Sequence, residues 1–223
     1  MRYLFFILFF IIICLGVLIY LIFSKDILNL FKKSSPELLM TEKILIGKKI
    51  AMVIAFKDFR DEELFIPRSI FLDKGAEVKL ISEKKGEALG MFGGVTKVDF
   101  LFEELEISDF EAIIFVGGSG AADYINNERV HQIARLAIEK NKILGAICIA
   151  PAILARSGVL KNKKATVWSG PLDKSAVKIL KEEGVNYEEK PVVIDGKIVT
   201  ANGPQVARQF AEKIIELLKT ESK

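Results

Sequence analysis

Ile143-Leu144-Gly145-Ala146-Ile147-Cys148-Ile149-Ala150-Pro151 decides how the body of this chain is read. Ile143 to Ile147 is continuously apolar or small, the mark of a strand buried on both faces. It closes on Cys148, and a short helix follows from Ala150 or Pro151 to Arg156, stopped near Gly158. A buried strand that turns directly into a helix is the unit of a layered α/β domain. The same alternation runs outward on both sides. Upstream, Ile50–Phe56 is a buried-strand run, Asp61–Asp73 has helical spacing and ends at Gly75, and Val78–Ile81 is a second strand. Ala88 to Phe102 carries Gly93-Gly94 between apolar runs and predicts a hairpin or bulge. Ala112–Val116 is a third buried strand closing on Gly117-Gly118, and Glu128–Lys140 is a helix with Val130, Ile133, Ala134 and Ala137 on one face. Downstream, Lys164–Trp168 predicts a short strand, and Asp173–Glu182 a helix ended by Gly184. Val192–Ala201 predicts a hairpin around Asp195-Gly196, and a last helix starts at Gly203-Pro204. Continuous apolar strands separated by helices imply a mostly parallel sheet covered on both sides. No internal repeat is visible, and one domain over roughly 47–220 is expected.

In open α/β sheets, ligands bind outside the carboxyl ends of strands. Cys148 stands at such an end, where an abrupt strand-to-helix turn lifts a side chain into the crevice, as in a nucleophile elbow. The N-terminus of the following helix should favour a thiolate there. Backbone N–H groups at Ile149 and at the Gly117-Gly118 strand end are placed to hold an oxyanion. The plainer alternative is a small hydrophobe in a core, since free cysteine is among the most buried residue types. Glu63, just past the carboxyl end of the first strand, can face the same crevice. An ionised carboxylate beside a thiolate would raise the thiol's pKa, so a contact between the two favours a protonated Glu63 donating to sulfur. Asp61 and Glu62 illustrate the plainer alternative, a solvated acid in a helix's first turn.

Charge and composition narrow the classes. The chain has 223 residues, 51% apolar and 27% charged, with a net charge of +3. Residues 1–46 hold five basic and three acidic side chains, leaving 27 and 26 in the body. A nearly neutral body argues against a nucleic-acid binder, which needs a concentrated basic face. Two cysteines exclude a disulfide scaffold and a multi-cysteine zinc site, and the single histidine excludes any site needing two. No metal or organic cofactor is implied. His131, near a helix start, reads as a surface or packing residue.

Tyr3 to Phe23 has no charge, and Gly16 is its only residue that is not apolar. As a helix it would span roughly 30 Å, the hydrocarbon thickness of a bilayer. It is longer than the apolar core of a signal peptide, and Ile22-Phe23-Ser24-Lys25 has no small-x-small cleavage pattern. The expectation is a single-pass anchor over residues 1–24, a tether over 25–46 with a short amphipathic stretch at Ile27–Phe31, and a tail at 221–223. Cys14 is then a membrane-buried thiol. Lys25, Lys32 and Lys33 tip the positive-inside balance toward a cytoplasmic body.

Four motifs in order carry a resemblance: Glu63 four residues before Pro67, Val116-Gly117-Gly118-Ser119-Gly120-Ala121, Ala146-Ile147-Cys148-Ile149-Ala150-Pro151, and Asp195–Thr200 followed by Gly203-Pro204. Over about residues 48 to 218 the body resembles the DJ-1/PfpI superfamily, which has the class I glutamine amidotransferase-like fold. The resemblance implies a flavodoxin-like three-layer sandwich, a homo-oligomer, Cys148 and Glu63 as the catalytic pair, and an oxyanion pocket from the Gly118 and Ile149 amides. Gly117, Ser119 and Trp168 are expected around the pocket. Two departures bear on function. Ile149 stands where protease-like members place a histidine, so no Cys–His couple is expected. Asn202 stands where an arginine is common, which predicts a pocket without that positive group. The implied function is a cysteine-dependent enzyme acting on a small reactive carbonyl or an acyl or amide substrate. One alternative is a redox-sensing or chaperone-like protein whose Cys148 is oxidised rather than turning over. The other is a non-catalytic, membrane-tethered interaction module.

Overall fold

Residues 42–220 are described by the computed structural model, and within them the apolar runs form the strands of one twisted sheet. The segment expected to be an anchor at residues 3–23 lies outside the described residues, as do the tether up to residue 41 and the tail. No helix among the described residues is long and apolar enough to cross a membrane. Leu45, inside the stretch assigned to the tether, is fully buried, and its N–H donates to Lys74 O at 2.9 Å. The folded body therefore takes in residues ahead of 47.

The strands are β1 (Lys49–Val53), β2 (Lys57–Phe59), β3 (Glu77–Ser82), β4 (Gly86–Gly90), β5 (Val95–Val98), β6 (Phe100–Leu101), β7 (Ala112–Phe115), β8 (Ile143–Ile147), β9 (Lys164–Ala165), β10 (Asn186–Tyr187), β11 (Val192–Asp195) and β12 (Ile198–Ala201). Seven of them form the main sheet in the order β11-β12-β8-β7-β1-β3-β6. All neighbours run parallel except the β11–β12 hairpin, which turns at Gly196. The helices are α1 (Asp61–Asp73), α2 (Glu128–Glu139), α3 (Pro151–Arg156), α4 (Ser175–Glu182) and α5 (Ala207–Thr220).

Side chains alternate across each strand, so the sheet feeds two cores. Ile50, Met52, Ile114 and Ile147 pack on one face with Leu64 and Phe71 of α1 and Phe210 and Ile214 of α5. Ala51, Val53, Phe115 and Ala146 pack on the other with residues of α2, α3 and α4. The result is the expected three-layer α/β sandwich.

Three expectations change in detail. The first strand ends at Val53 rather than Phe56, because the chain leaves the sheet there and Lys57–Phe59 joins a separate three-stranded sheet, β2-β4-β5. Only Lys164 and Ala165 of the Lys164–Trp168 run form a strand, paired with β10. Beyond them Thr166 N–H donates to Thr200 Oγ1 and Trp168 N–H to Cys148 O, so a side chain and the elbow's carbonyl replace the ladder. The helix expected from Asp173 starts at Ser175, whose N–H is taken by the Asp173 carboxylate at 2.9 Å.

The strand ends near the crevice are tied together by one carboxylate. Glu83 accepts from Phe56 N–H at 3.2 Å, from Ser82 Oγ at 2.8 Å, and from the Tyr124 hydroxyl. Burial, then Glu83, push the Tyr124 pKa up, so this hydroxyl keeps its proton. Tyr124→Phe should lower unfolding free energy by about 1.5–3 kcal/mol, the usual worth of a hydrogen bond to a charged group. Phe210→Ala, in the fully buried face of α5, should cost about 3–5 kcal/mol. Urea denaturation monitored by circular dichroism measures both.

Candidate active site

Cys148 ends β8 with φ +64°, a left-handed conformation that costs a non-glycine residue about 1–3 kcal/mol. The surroundings hold it there from both sides. Its N–H donates to Ala201 O of β12 at 2.9 Å, and its carbonyl accepts from Trp168 N–H at 2.8 Å. The thiol is half-buried and opens on a cleft of about 380 Å³. Gly118, Ser119, Cys148, Ile149 and Trp168 line this cleft together with Arg60, Met91 and Ala122, which the sequence reading missed; Gly117, also named for the pocket, is not among its lining residues.

Glu63 lies in the first turn of α1 and is 0% exposed. Gly117 separates it from the elbow. A Cβ built on Gly117 would lie 2.5 Å from Glu63 Oε2 and 2.6 Å from Cys148 Cβ, so any side chain here would drive the carboxyl and the cysteine apart. Gly118, with φ +108°, meets backbone just as closely: its Cβ would lie 2.4 Å from Arg60 N. That turn brings the Gly118 N–H to the sulfur, where it and the Ile149 N–H both favour the charged form.

The Glu63 carboxyl has both oxygens sealed from solvent and neither in a hydrogen bond of full geometry; the Cys148 thiol and Gly117 N–H are its neighbours. Burial pushes its pKa up to about 7, against smaller opposing effects of the Cys148 thiol, the Arg60 charge and the Gly117 amide. Cys148 is pushed up to about 12, by burial first and then by the charge and hydrogen bond of Glu63. This corrects the expectation that a helix N-terminus makes Cys148 a ready thiolate. α3 has only six residues, and desolvation plus a neighbouring acid outweigh its dipole and the two amides. The pair is best described as two acids in one buried site, carrying a single negative charge between its two ionisations.

His131 is apart from this cluster. It is 7% exposed in α2, with Nε2 2.8 Å from Ile125 O, so it packs as one of the expected alternatives. The expectation of a pocket without a positive group is corrected by Arg60, which is among the residues that line the cleft. Its position immediately before the acidic turn Asp61-Glu62-Glu63 was the available signal. No group of three or more His, Cys, Asp or Glu side chains among the described residues is arranged to hold a metal.

The profile of the DJ-1/PfpI family matches residues 48–217. A protein of Methanocaldococcus jannaschii is 41% identical over 172 residues, covering 77% of this chain and 82% of that one. Deglycase PfpI of Pyrococcus furiosus is 31% identical over 168 residues, covering 75% of this chain and 98% of the deglycase. The crystal structure of a ThiJ/PfpI domain protein from Brachyspira murdochii superposes with a TM-score of 0.74 at 32% identity, covering 78% of this chain and 99% of that one.

The raised Glu63 pKa has a consequence for stability. The unfolded chain releases this proton near 4.5 and the folded chain near 7, so the folded state binds more protons in between and loses stability as pH rises through that window. Glu63→Gln removes the titration. Its stability relative to wild type should therefore improve by about 2–3 kcal/mol between pH 5 and pH 8, measured by urea denaturation at both. In wild type, alkylation of Cys148 should rise through two steps, near pH 7 and near pH 12. In Glu63→Gln a single step should lie between them.

Proposed function

This chain belongs to the DJ-1/PfpI family, and we propose that it is a cysteine-dependent enzyme that adds Cys148 to a small reactive carbonyl or acyl substrate. The observation that carries the reading is the placement of the buried Glu63 carboxyl and of Cys148 around Gly117, each within 2.6 Å of where a Cβ would stand there, beside two amides that favour charge at the sulfur. Glu63, Cys148 and the two amides take the roles of proton carrier, nucleophile and oxyanion pocket. The likeness to proteins named deglycases supports a carbonyl substrate. The absence of histidine at Ile149 weighs against imidazole-assisted peptidase chemistry.

The residues have the following work. Above pH 7 the pair holds one proton. It moves between Glu63-carboxylate with thiol and Glu63-carboxyl with thiolate. In the second arrangement the sulfur lone pair forms a C–S bond to the carbonyl carbon as the C=O π pair moves to oxygen. The Gly118 and Ile149 N–H groups then stabilise that oxyanion. Transfer of the Glu63 proton to this oxygen yields a neutral hemithioacetal and leaves Glu63 ionised, ready to take a proton back. With an acyl substrate the same oxyanion collapses and expels its leaving group, which takes the Glu63 proton. Water, deprotonated by the Glu63 carboxylate, then attacks the thioester, the C–S bond breaks, and the acid leaves as the proton returns to the pair. A half-buried thiol suits this cycle, because it is held mostly protonated until a substrate fills the cleft.

The proposal keeps residues 3–23 as a membrane anchor, on their length and lack of charge alone, and keeps a homo-oligomer on the family resemblance. Carbonate extraction of membranes and sedimentation test these two parts.

The activity is tested by consumption of methylglyoxal and hydrolysis of small activated esters by the full chain. Cys148→Ser should abolish turnover. Glu63→Gln should reduce kcat about 10²–10⁴-fold, the usual share of proton transfer in such steps. Turnover that survives Cys148→Ser overturns the proposal.

A further inference from the structure

The cleft is lined by apolar side chains, backbone, Ser119, Cys148 and one cation. Arg60 is the only charged side chain that lines it among the described residues. Its position is fixed by four contacts. Its backbone N–H donates to Gly117 O at 3.0 Å, which ties it to the glycine turn between Glu63 and Cys148. Its Nε and Nη2 donate to the two Glu62 carboxylate oxygens at 2.8 and 3.1 Å. Its guanidinium carbon lies 4.4 Å over the Phe92 ring. Phe92 is held in turn, because the Asp61 carboxylate accepts from Phe92 N–H at 2.9 Å and from Gly94 N–H at 2.7 Å.

Such clamping leaves part of the guanidinium free. Glu62 takes Nε–H and one proton of Nη2. Nη1 and the second Nη2 proton form the remaining two-donor edge, which matches the two oxygens of a carboxylate. A side chain with this much rotamer freedom is seldom fixed without use, and ordering it in advance lowers the cost of binding. Arg60 is 26% exposed, wet enough to meet a ligand yet backed by protein. Its charge is felt by both Glu63 and Cys148. Glu62 balances Arg60 while the cleft is empty, and a carboxylate on the free edge would turn the pair into a carboxylate–guanidinium–carboxylate array.

We propose that Arg60 reads a carboxylate carried by the substrate next to its reacting carbonyl, so that the cleft prefers small α-oxo acids to neutral aldehydes. This rests on the carbonyl-addition reading above for the word substrate. The anion subsite itself stands on the Arg60 geometry alone.

The test uses the full chain and two alkylating reagents that differ in charge, iodoacetate and iodoacetamide, with Cys148 modification read by peptide mass spectrometry. The ratio of the two rates cancels differences in thiol ionisation and isolates recognition of the carboxylate. Wild type should show a ratio about fivefold above that of free cysteine, the scale expected of one partly exposed charge pair. Arg60→Gln should bring it down to the free-cysteine value, and Arg60→Lys should keep part of it. Glu62→Gln, which leaves Arg60 without its competitor, should raise the ratio and decides the matter if Arg60→Gln does not fold. A wild-type ratio at the free-cysteine value overturns the proposal, as does a ratio unmoved by Arg60→Gln or unmoved by Glu62→Gln. Glyoxylate and methylglyoxal are then compared as substrates. Selective alkylation with neither compound consumed would remove the turnover reading and leave the anion subsite. Equal consumption of both, with no alkylation selectivity, would do the reverse.

Discussion

Two acids sit side by side, the Glu63 carboxyl sealed from solvent and the Cys148 thiol opening on the cleft, with Gly117 leaving the space that a Cβ would fill. Much of the local structure is arranged around that contact. Neither group ionises easily there, because burial penalises each charge and the Glu63 charge further penalises the thiolate. The site therefore behaves as a store for a single proton rather than as a free nucleophile beside a free base. That distinguishes it from a cysteine activated by imidazole, in which the two charges are opposite and support one another. Here reactivity depends on where the shared proton sits, and a carbonyl in the cleft supplies a reason for it to move.

The contact needs a strained backbone, and the fold supplies the restraint. Cys148 is held in a left-handed conformation by Ala201 O on one side and Trp168 N–H on the other. These partners come from β12 and from the strand-like run after β9, so the elbow is fixed by chain more than 15 residues away. The Gly117-Gly118 turn is similarly clasped by the residue that joins β2 to α1, through Arg60 N–H on Gly117 O. Glu83 joins Phe56, in the link between β1 and β2, and Ser82, at the end of β3, to Tyr124, the last residue of the short helical turn that begins at Ser119. The loops around the cleft are thus tied to the sheet by backbone and carboxylate hydrogen bonds.

The β4–β5 hairpin adds a wall that the sheet alone does not provide. Asp61 accepts two N–H groups from its turn, which sets Phe92 against the Arg60 guanidinium and Met91 against the cleft. A helix's first turn thus supplies three acidic side chains with three separate partners. Asp61 holds the hairpin, Glu62 holds Arg60, and Glu63 meets Cys148. Similar residues take unlike roles because successive helical positions point about 100° apart.

The alternation of apolar strand runs with helical spacing was enough to determine the layered α/β sandwich, because burial of a sheet on both faces leaves a pattern in every strand. It located α1, β8 and the β11–β12 hairpin closely, and it placed Cys148 at a strand end and Glu63 one turn into a helix. It was weakest where short-range pattern does not set the partner. Thr166–Trp168 is as β-prone as a strand, but its hydrogen bonds go to Thr200 and Cys148. Asp61-Glu62-Glu63 looked like one acidic turn. The helix behind the thiol reads as favouring a thiolate and a contact with Glu63 as raising the pKa; burial, which local sequence does not show, is the largest effect and acts with Glu63. Arg60 carried no motif and was missed. Local sequence determines which faces are apolar and where the chain turns, since those depend on neighbours three or four residues away. Tertiary structure alone decided which acid is buried, which is paired with a cation, and how a thiol titrates, because desolvation and charge act through space between residues distant in the chain.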